Sequence, residues 1–288
     1  MEVFLHRALR QQLQSLSLSG LTHIPKAGPG ARIEVPERNA AVQLPPAVSE
    51  AVPPLTRAPA RGPEGRPSAP KTAPLQKTFA AAAEADVPVT AGGPLTRAER
   101  QTALSVLNEQ VRACTRCDQL AGTRTQTVFG VGDPEARILF IGEAPGADED
   151  AQGEPFVGKA GQLLNKIIAA SKLVREQVYI CNILKCRPPD NRTPAEDECA
   201  NCREYLLGQL RVIDPEYIVC LGAVAAQNLL ATKFSVGKLR GRFLQYGRAK
   251  VLVTYHPSYL LRSPGAKKDV WDDMKFLMAD MGIDLSAK

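Results

Sequence analysis

Four short apolar runs, at 137–142, 178–184, 216–221 and 250–255, each give way to a helical pattern, at 159–172, 194–212, 223–231 and 268–281. Apolar runs this short, without an alternating polar face, are strands buried on both sides. Strand followed by helix, four times over, predicts an α/β fold: a mostly parallel central sheet covered by helices on both faces. A further helix is expected over 95–113, with Ala103, Leu104, Leu107 and Val111 on one face. The helix at 194–212 is expected to open at Thr193-Pro194, with Glu196 close behind as a capping signal. No internal repeat is evident.

The residues ahead of 95 are of another kind. Residues 25–94 hold 14 of the chain's 23 prolines, alanine-rich tracts and one aromatic residue, Phe79. Such a segment buries too little apolar area to offset chain entropy of roughly 1–2 kcal/mol per residue, so a disordered linker is expected. Residues 1–24 carry a mild amphipathic pattern (Val3, Leu5, Leu9, Leu13, Leu16), which fits a short helix, a frayed tail or a docking peptide for a protein partner. The expected organisation is thus 1–24, 25–94 and a folded domain over 95–288. No run approaches the roughly 18 apolar residues of a membrane span, and Met1–Leu13 lacks the apolar core of a signal peptide. A cytoplasmic monomer without a membrane partner is expected.

All seven cysteines fall after residue 113. In a reducing compartment they are read as ligands before disulfides. Cys114-Thr-Arg-Cys117 and Cys199-Ala-Asn-Cys202 are CxxC pairs, and Cys186 follows a strand end, so four ligands come from five candidates. Four thiolates suit zinc or a [4Fe–4S] cluster, and spacing does not choose between them. Cys181 and Cys220 lie within apolar strands and are expected in the core.

The stretch Gly142–Lys166, rich in carboxylates and glycines, joins the first strand to the first following helix. Open α/β sheets bind ligands at the carboxyl ends of their strands. There the chain places Glu143, Phe156, Asn182 and the triplet His256-Pro257-Ser258. A phenylalanine offers a face for a planar base. An asparagine amide can donate to a pyrimidine O4 and accept from N3–H, which separates uracil from cytosine. A histidine can donate to O2, where charge develops if the bond from N1 to the sugar breaks. Carboxylates can orient a water or steady a sugar cation.

Gly153 to Ala160 imitates a phosphate loop, but Ala160 stands where Ser or Thr is needed for Mg²⁺. The helix start near Gly158 remains a candidate for a DNA phosphate. Residues 233–268 contain nine Lys or Arg and no Asp or Glu, which fits a surface that tracks phosphates. Within it, Leu260-Leu261 followed by Arg262 is a candidate wedge for a base stack.

The blocks GEAPGADEDAQGEPFVGKAGQLL, NILKCRPPDNRTP, CREYL and HPSYLLR resemble the motifs of the family 4, thermostable-type uracil-DNA glycosylases. The resemblance runs from about Cys114 to the last helix. It implies a uracil-DNA glycosylase-like fold and a monofunctional hydrolase that flips uracil from single- or double-stranded DNA and leaves an abasic site. It implies a [4Fe–4S] cluster on Cys114, Cys117, Cys186 and Cys202, with Cys199 a spare thiol. It implies that Phe156 stacks on uracil, Asn182 reads its edge, His256 stabilises O2, and Glu143 lines the pocket and helps place water. Glu149, Asn191 and Ser258 are further substrate-site candidates, and Lys159, Leu260 and Arg262 are candidates for DNA contact. Ala144 stands where other uracil-DNA glycosylases carry a water-activating aspartate. Two other readings stay open at this point. One is a non-catalytic iron–sulfur DNA-binding module; the other is a zinc-stabilised nucleotide hydrolase.

Overall fold

The computed structural model describes residues 95–285; the expected N-terminal helix and linker lie outside the described residues. Helix α1 (Arg97–Arg112) starts at a capping box in which the Thr96 N–H donates to the Glu99 carboxylate (2.8 Å) and the Glu99 N–H to the Thr96 hydroxyl (3.4 Å). The elements that follow are α2 (Asp118–Thr123), β1 (Val131–Gly132), β2 (Ile138–Gly142), α3 (Ala147–Gln152), α4 (Lys159–Ala170), β3 (Tyr179–Asn182) and α5 (Glu196–Ile213). Then come β4 (Tyr217–Leu221), α6 (Ala223–Leu230), α7 (Val236–Leu239), β5 (Phe243–Tyr246), β6 (Ala249–Thr254), α8 (Pro257–Arg262) and α9 (Lys267–Asp280).

The sheet order is β1-β3-β2-β4-β6-β5. The four strands legible as apolar runs form its parallel centre, and the short β1 and β5 pair antiparallel at the edges. Every residue of β2, β3 and β4 is buried, as a sheet covered on both faces requires. The pleat sorts side chains into two cores. Leu139, Ile141, Cys181, Ile218, Cys220 and Val253 pack with α1, α5 and α6. Ile138, Phe140, Ile180, Val219 and Leu252 pack with α4, α8 and α9. Among the described residues no helix is long and apolar enough to cross a membrane.

Helix α5 begins at Glu196, not at Thr193-Pro194. The Glu198 carboxylate accepts from the Ala195 N–H (2.8 Å) and from Arg192 (2.6 and 2.9 Å), which anchors the first turn two residues later. Glycine brings α1 against α5: a Cβ on Gly208 would lie 2.7 Å from Leu107 Cδ2.

The topology also locates the site. From β2 the chain crosses first to β3 on one side, then back over to β4 on the other. Gly142 is in register with Asn182, and Leu221 with Thr254, so the carboxyl ends form one edge at the switch point.

Candidate active site

At that edge lies an open cavity of about 500 Å³. Its wall includes Glu143, Ala144, Phe156, Asn182, Asn191 and His256, with Glu149, Ser258 and Arg262 around them. The strand-end residues singled out in the sequence therefore share one pocket.

Phe156 is held in a left-handed conformation (φ 55°) that a bulky residue adopts only when its surroundings impose it. Two groups clamp the loop around it. Glu149 accepts from the Val157 and Gly158 N–H groups (both 3.0 Å) and from the Gly146 N–H (3.1 Å). Arg175 donates to the Pro155 carbonyl (2.6 Å), the Phe156 carbonyl (3.4 Å) and Asn165 Oδ1 (3.0 Å). Glu149 thus acts on the site through the loop it fastens. It also occupies amides that a phosphate loop would turn toward its anion, so the Gly153–Ala160 segment is no phosphate cradle. The Phe156 ring lies 5.6 Å from the His256 ring, tilted by 35°.

Two glycines make room for this packing. A Cβ on Gly142 would lie 2.3 Å from Asn182 Oδ1 and 2.5 Å from Phe156 Cζ. A Cβ on Gly161 would lie 1.8 Å from the Phe156 carbonyl oxygen. Neither glycine stood out by composition; only the close approach explains them.

Asn182 is almost fully buried. Its Oδ1 is the one buried side-chain polar atom without a hydrogen-bond partner among the described residues. Buried acceptors are nearly always satisfied, so this oxygen leaves the pocket wall with an acceptor that no protein donor fills. Its main-chain carbonyl accepts from the buried ammonium of Lys185 (2.8 Å).

His256 is the N-cap of α8, and its Nδ1 accepts from the Ser258 N–H (3.1 Å). That bond places the ring proton on Nε2. Burial, and secondarily the charge of Arg262, push the ring's pKa down to about 4, so the imidazole is neutral at pH 7. Burial alone pushes the Glu143 carboxyl above its ordinary value. Asn191 also has a left-handed backbone (φ 54°), and its Oδ1 accepts from Arg187 Nε (2.9 Å) at the rim.

The expected DNA contacts divide. Lys159 is exposed at the first turn of α4, and Arg262 is exposed at the pocket mouth. Leu260 turns inward, 1% exposed, into the core formed with α4 and α9, so it is not a wedge. The exposed member of the pair is Leu261, at 47%. The single-sign charge of 233–268 is also partly neutralised from outside that segment. Arg240 pairs with Asp269 (3.2 Å) and Asp273 (3.1 Å), Arg248 with Asp214 (2.5 Å) and Lys250 with Asp280 (2.6 Å). Lys250 sits near the amino end of β6, away from the pocket edge.

On the far side of Lys185, a small separate pocket gathers Cys114, Cys117, Cys186 and Cys202. Cys199 lines a different cavity with Asn228, and Cys181 and Cys220 are core residues. Arg124 donates to Cys186 Sγ (2.9 Å) and to the Cys114 carbonyl (2.8 Å), and Asn201 Nδ2 to Cys117 Sγ (3.6 Å). Such donors suit thiolates. Among the described residues no three His, Cys, Asp or Glu side chains form a site for a single metal ion.

The family model described as the uracil DNA glycosylase superfamily matches residues 129–275. The chain belongs to this superfamily. The type-4 uracil-DNA glycosylase of Thermotoga maritima is 46% identical over 166 residues, which are 57% of this chain and 86% of that protein. That of Archaeoglobus fulgidus is 45% identical over 174 residues, 58% and 87% of the two chains. A type-5 uracil-DNA glycosylase of Thermus thermophilus is 32% identical over 155 residues, 43% of this chain and 70% of that protein. The span matched by the superfamily model includes Glu143, Phe156, Asn182, Cys186, Cys202 and His256 of this glycosylase, while Cys114 and Cys117 precede it.

Proposed function

We infer that this uracil-DNA glycosylase takes a flipped uracil into the pocket at the β2–β3 edge and hydrolyses its N-glycosidic bond, leaving an abasic site. The observation that carries the reading is the unpartnered Oδ1 of Asn182, buried in the pocket that Phe156 and His256 also line. That oxygen accepts from uracil N3–H, and the same amide donates to O4. Cytosine offers the opposite pattern and leaves both groups mismatched. The Phe156 ring supplies the stacking face. As the bond from N1 to C1′ lengthens, its electron pair moves onto the base, and the neutral His256 donates from Nε2–H to O2. Glu143 faces the sugar side, steadies the positive charge at C1′ and orients the water whose oxygen bonds to C1′, and the proton this water loses passes through solvent to the departing uracil anion. Ala144 provides no base, so the water is placed by Glu143 and its main chain. Lys159 and Arg262 are positioned to meet phosphates.

Replacing His256 with Ala is expected to slow single-turnover uracil release by about 10²–10³-fold, the usual effect of removing one such donor. Full activity of this variant would contradict the assigned role. The pH dependence separates the two groups. His256 titrates near 4, so it contributes no limb near its ordinary 6.5. The acid limb belongs to Glu143, lies above the ordinary carboxylate value and disappears in Glu143→Gln. For stability the sign follows from proton uptake. Between the unfolded value of roughly 6.5 and the folded value of about 4, the unfolded chain binds more protons at position 256. The His256 contribution is therefore complete above pH 6.5 and declines as pH falls toward 4.

The four-thiol pocket is our candidate for the [4Fe–4S] cluster, held by Cys114, Cys117, Cys186 and Cys202. Its residues fit such a group: four thiols share one pocket, and Arg124 and Asn201 point donors at two of the sulfurs. When bound, the cluster would contribute ligation energy to the fold. Its ligands tie the segment before α2 to the loop after β3 and to α5. Cys186→Ala is expected to abolish iron binding and to lower soluble yield and melting temperature. Unchanged iron content and melting would remove Cys186 from the ligand set.

A further inference from the structure

Lys185 is 1% exposed, yet it forms no ion pair with Asp or Glu among the described residues. Its ammonium donates to two neutral oxygens, the carbonyl of Asn182 (2.8 Å) and Oε1 of Gln209 (2.6 Å). The Gln209 amide is itself fixed, because its Nε2 donates to the Phe129 carbonyl (2.9 Å) and to the Tyr179 hydroxyl (3.1 Å). The Lys185 carbonyl accepts from the Val128 N–H (2.8 Å). Lys185 also lines the four-thiol pocket beside Cys186 and Cys202. Lys185 therefore contacts both the strand end that carries Asn182 and the pocket that holds the thiols.

A buried charge is tolerated when an opposite charge answers it. No carboxylate does so here. Burial raises the pKa of Cys117, Cys186 and Cys202 as free thiols, so the negative charge that answers the ammonium would come when the four cysteines of the pocket Lys185 lines ligate iron as thiolates.

We propose that Lys185 is a positioning residue which fixes the end of β3 for uracil reading and takes its counter-charge from the four-thiolate pocket, so that iron retention and uracil recognition are coupled through it. The proposal rests on the roles given above to Asn182 and to the four cysteines. It assigns the residue before Cys186 a part in specificity. By the same geometry, Gln209 and Tyr179 set the direction of the lysine. Coupling of this kind is reciprocal: whatever holds the thiolates in place favours uracil, and uracil favours the thiolate arrangement.

The test uses the iron-loaded full chain and a Lys185→Met variant, which keeps an apolar stem and removes the ammonium. Three quantities are read: kcat and KM on uracil-containing DNA, inhibition by free uracil, and the rate of iron loss to a ferrous chelator. Displacing the reading group by a fraction of an ångström is expected to weaken free-uracil inhibition and lower kcat by about 10–100-fold, with KM for DNA changed by no more than about threefold. Iron loss is expected to quicken by about tenfold as the thiolates lose their buried cation. In the wild-type chain, saturating free uracil is expected to slow iron loss by about threefold or more, and this protection disappears in Lys185→Met. Wild-type inhibition and iron-loss rates in the variant would overturn the proposal. So would iron loss that free uracil leaves unchanged in the wild-type chain, a result that decides the matter even where the variant does not fold. A wild-type chain that releases no uracil, or binds no iron, removes the underlying reading instead, and the proposal with it.

Discussion

Asn182→Asp is expected to lower uracil release by about 10³-fold and to make cytosine release detectable, because a site built on paired hydrogen bonds discriminates by leaving the wrong partner's groups unpaired. The asparagine amide offers one donor and one acceptor in fixed places, and its Oδ1 meets no protein donor. An ionised aspartate offers only acceptors, so uracil O4 then faces negative charge. A buried carboxyl tends to take up a proton. In that form its O–H can donate to cytosine N3 while its carbonyl accepts from the N4 amino group. The measurement is single-turnover release from two otherwise identical strands, one carrying uracil and one cytosine. Unchanged preference for uracil would show that the edge is read elsewhere.

Gly142→Ala is the second large effect, and it acts without touching a polar group. The new methyl would sit 2.3 Å from Asn182 Oδ1 and 2.5 Å from Phe156 Cζ, both of them groups assigned to the base. The neighbours are side-chain ends, so the chain can still fold, with overpacking that costs about 1–3 kcal/mol. For a domain of this size that lowers the melting temperature by roughly 2–10 °C. Misplacing reacting partners by about 1 Å costs on the order of 100-fold in rate, and here both the stacking ring and the reading amide are displaced. The expected result is therefore a folded protein with at least about 100-fold slower uracil release. Wild-type rate in this variant would mean that Phe156 and Asn182 do not jointly form the base site.

These two positions show how far the sequence alone carries. The parallel centre of the sheet was legible because β2, β3, β4 and β6 are apolar runs followed by helical periods. The edge strands β1 and β5 were not, since two and four residues in irregular surroundings display no period. The same holds for α3, a six-residue helix inside the acidic loop. At the site, Phe156, Asn182 and His256 announced themselves by residue type at strand ends. Gly142, Gly161, Arg175 and Lys185 did not, because each matters through a close approach or a partner distant in sequence. Leu260 and Leu261 are equivalent in a sequence, and only the turn of α8 decides which of them faces solvent. The nine basic residues of 233–268 read as one surface until the acidic residues of α9 and Asp214 fold against three of them.

The most direct measurement is base release from DNA carrying a single uracil, in single- and double-stranded form, followed by alkali. The expected result is free uracil in amounts that match the uracil-containing strand. The strand should stay intact until alkali cleaves it at the abasic site. DNA that is bound but keeps its uracil would contradict the account and leave a binding module in place of an enzyme.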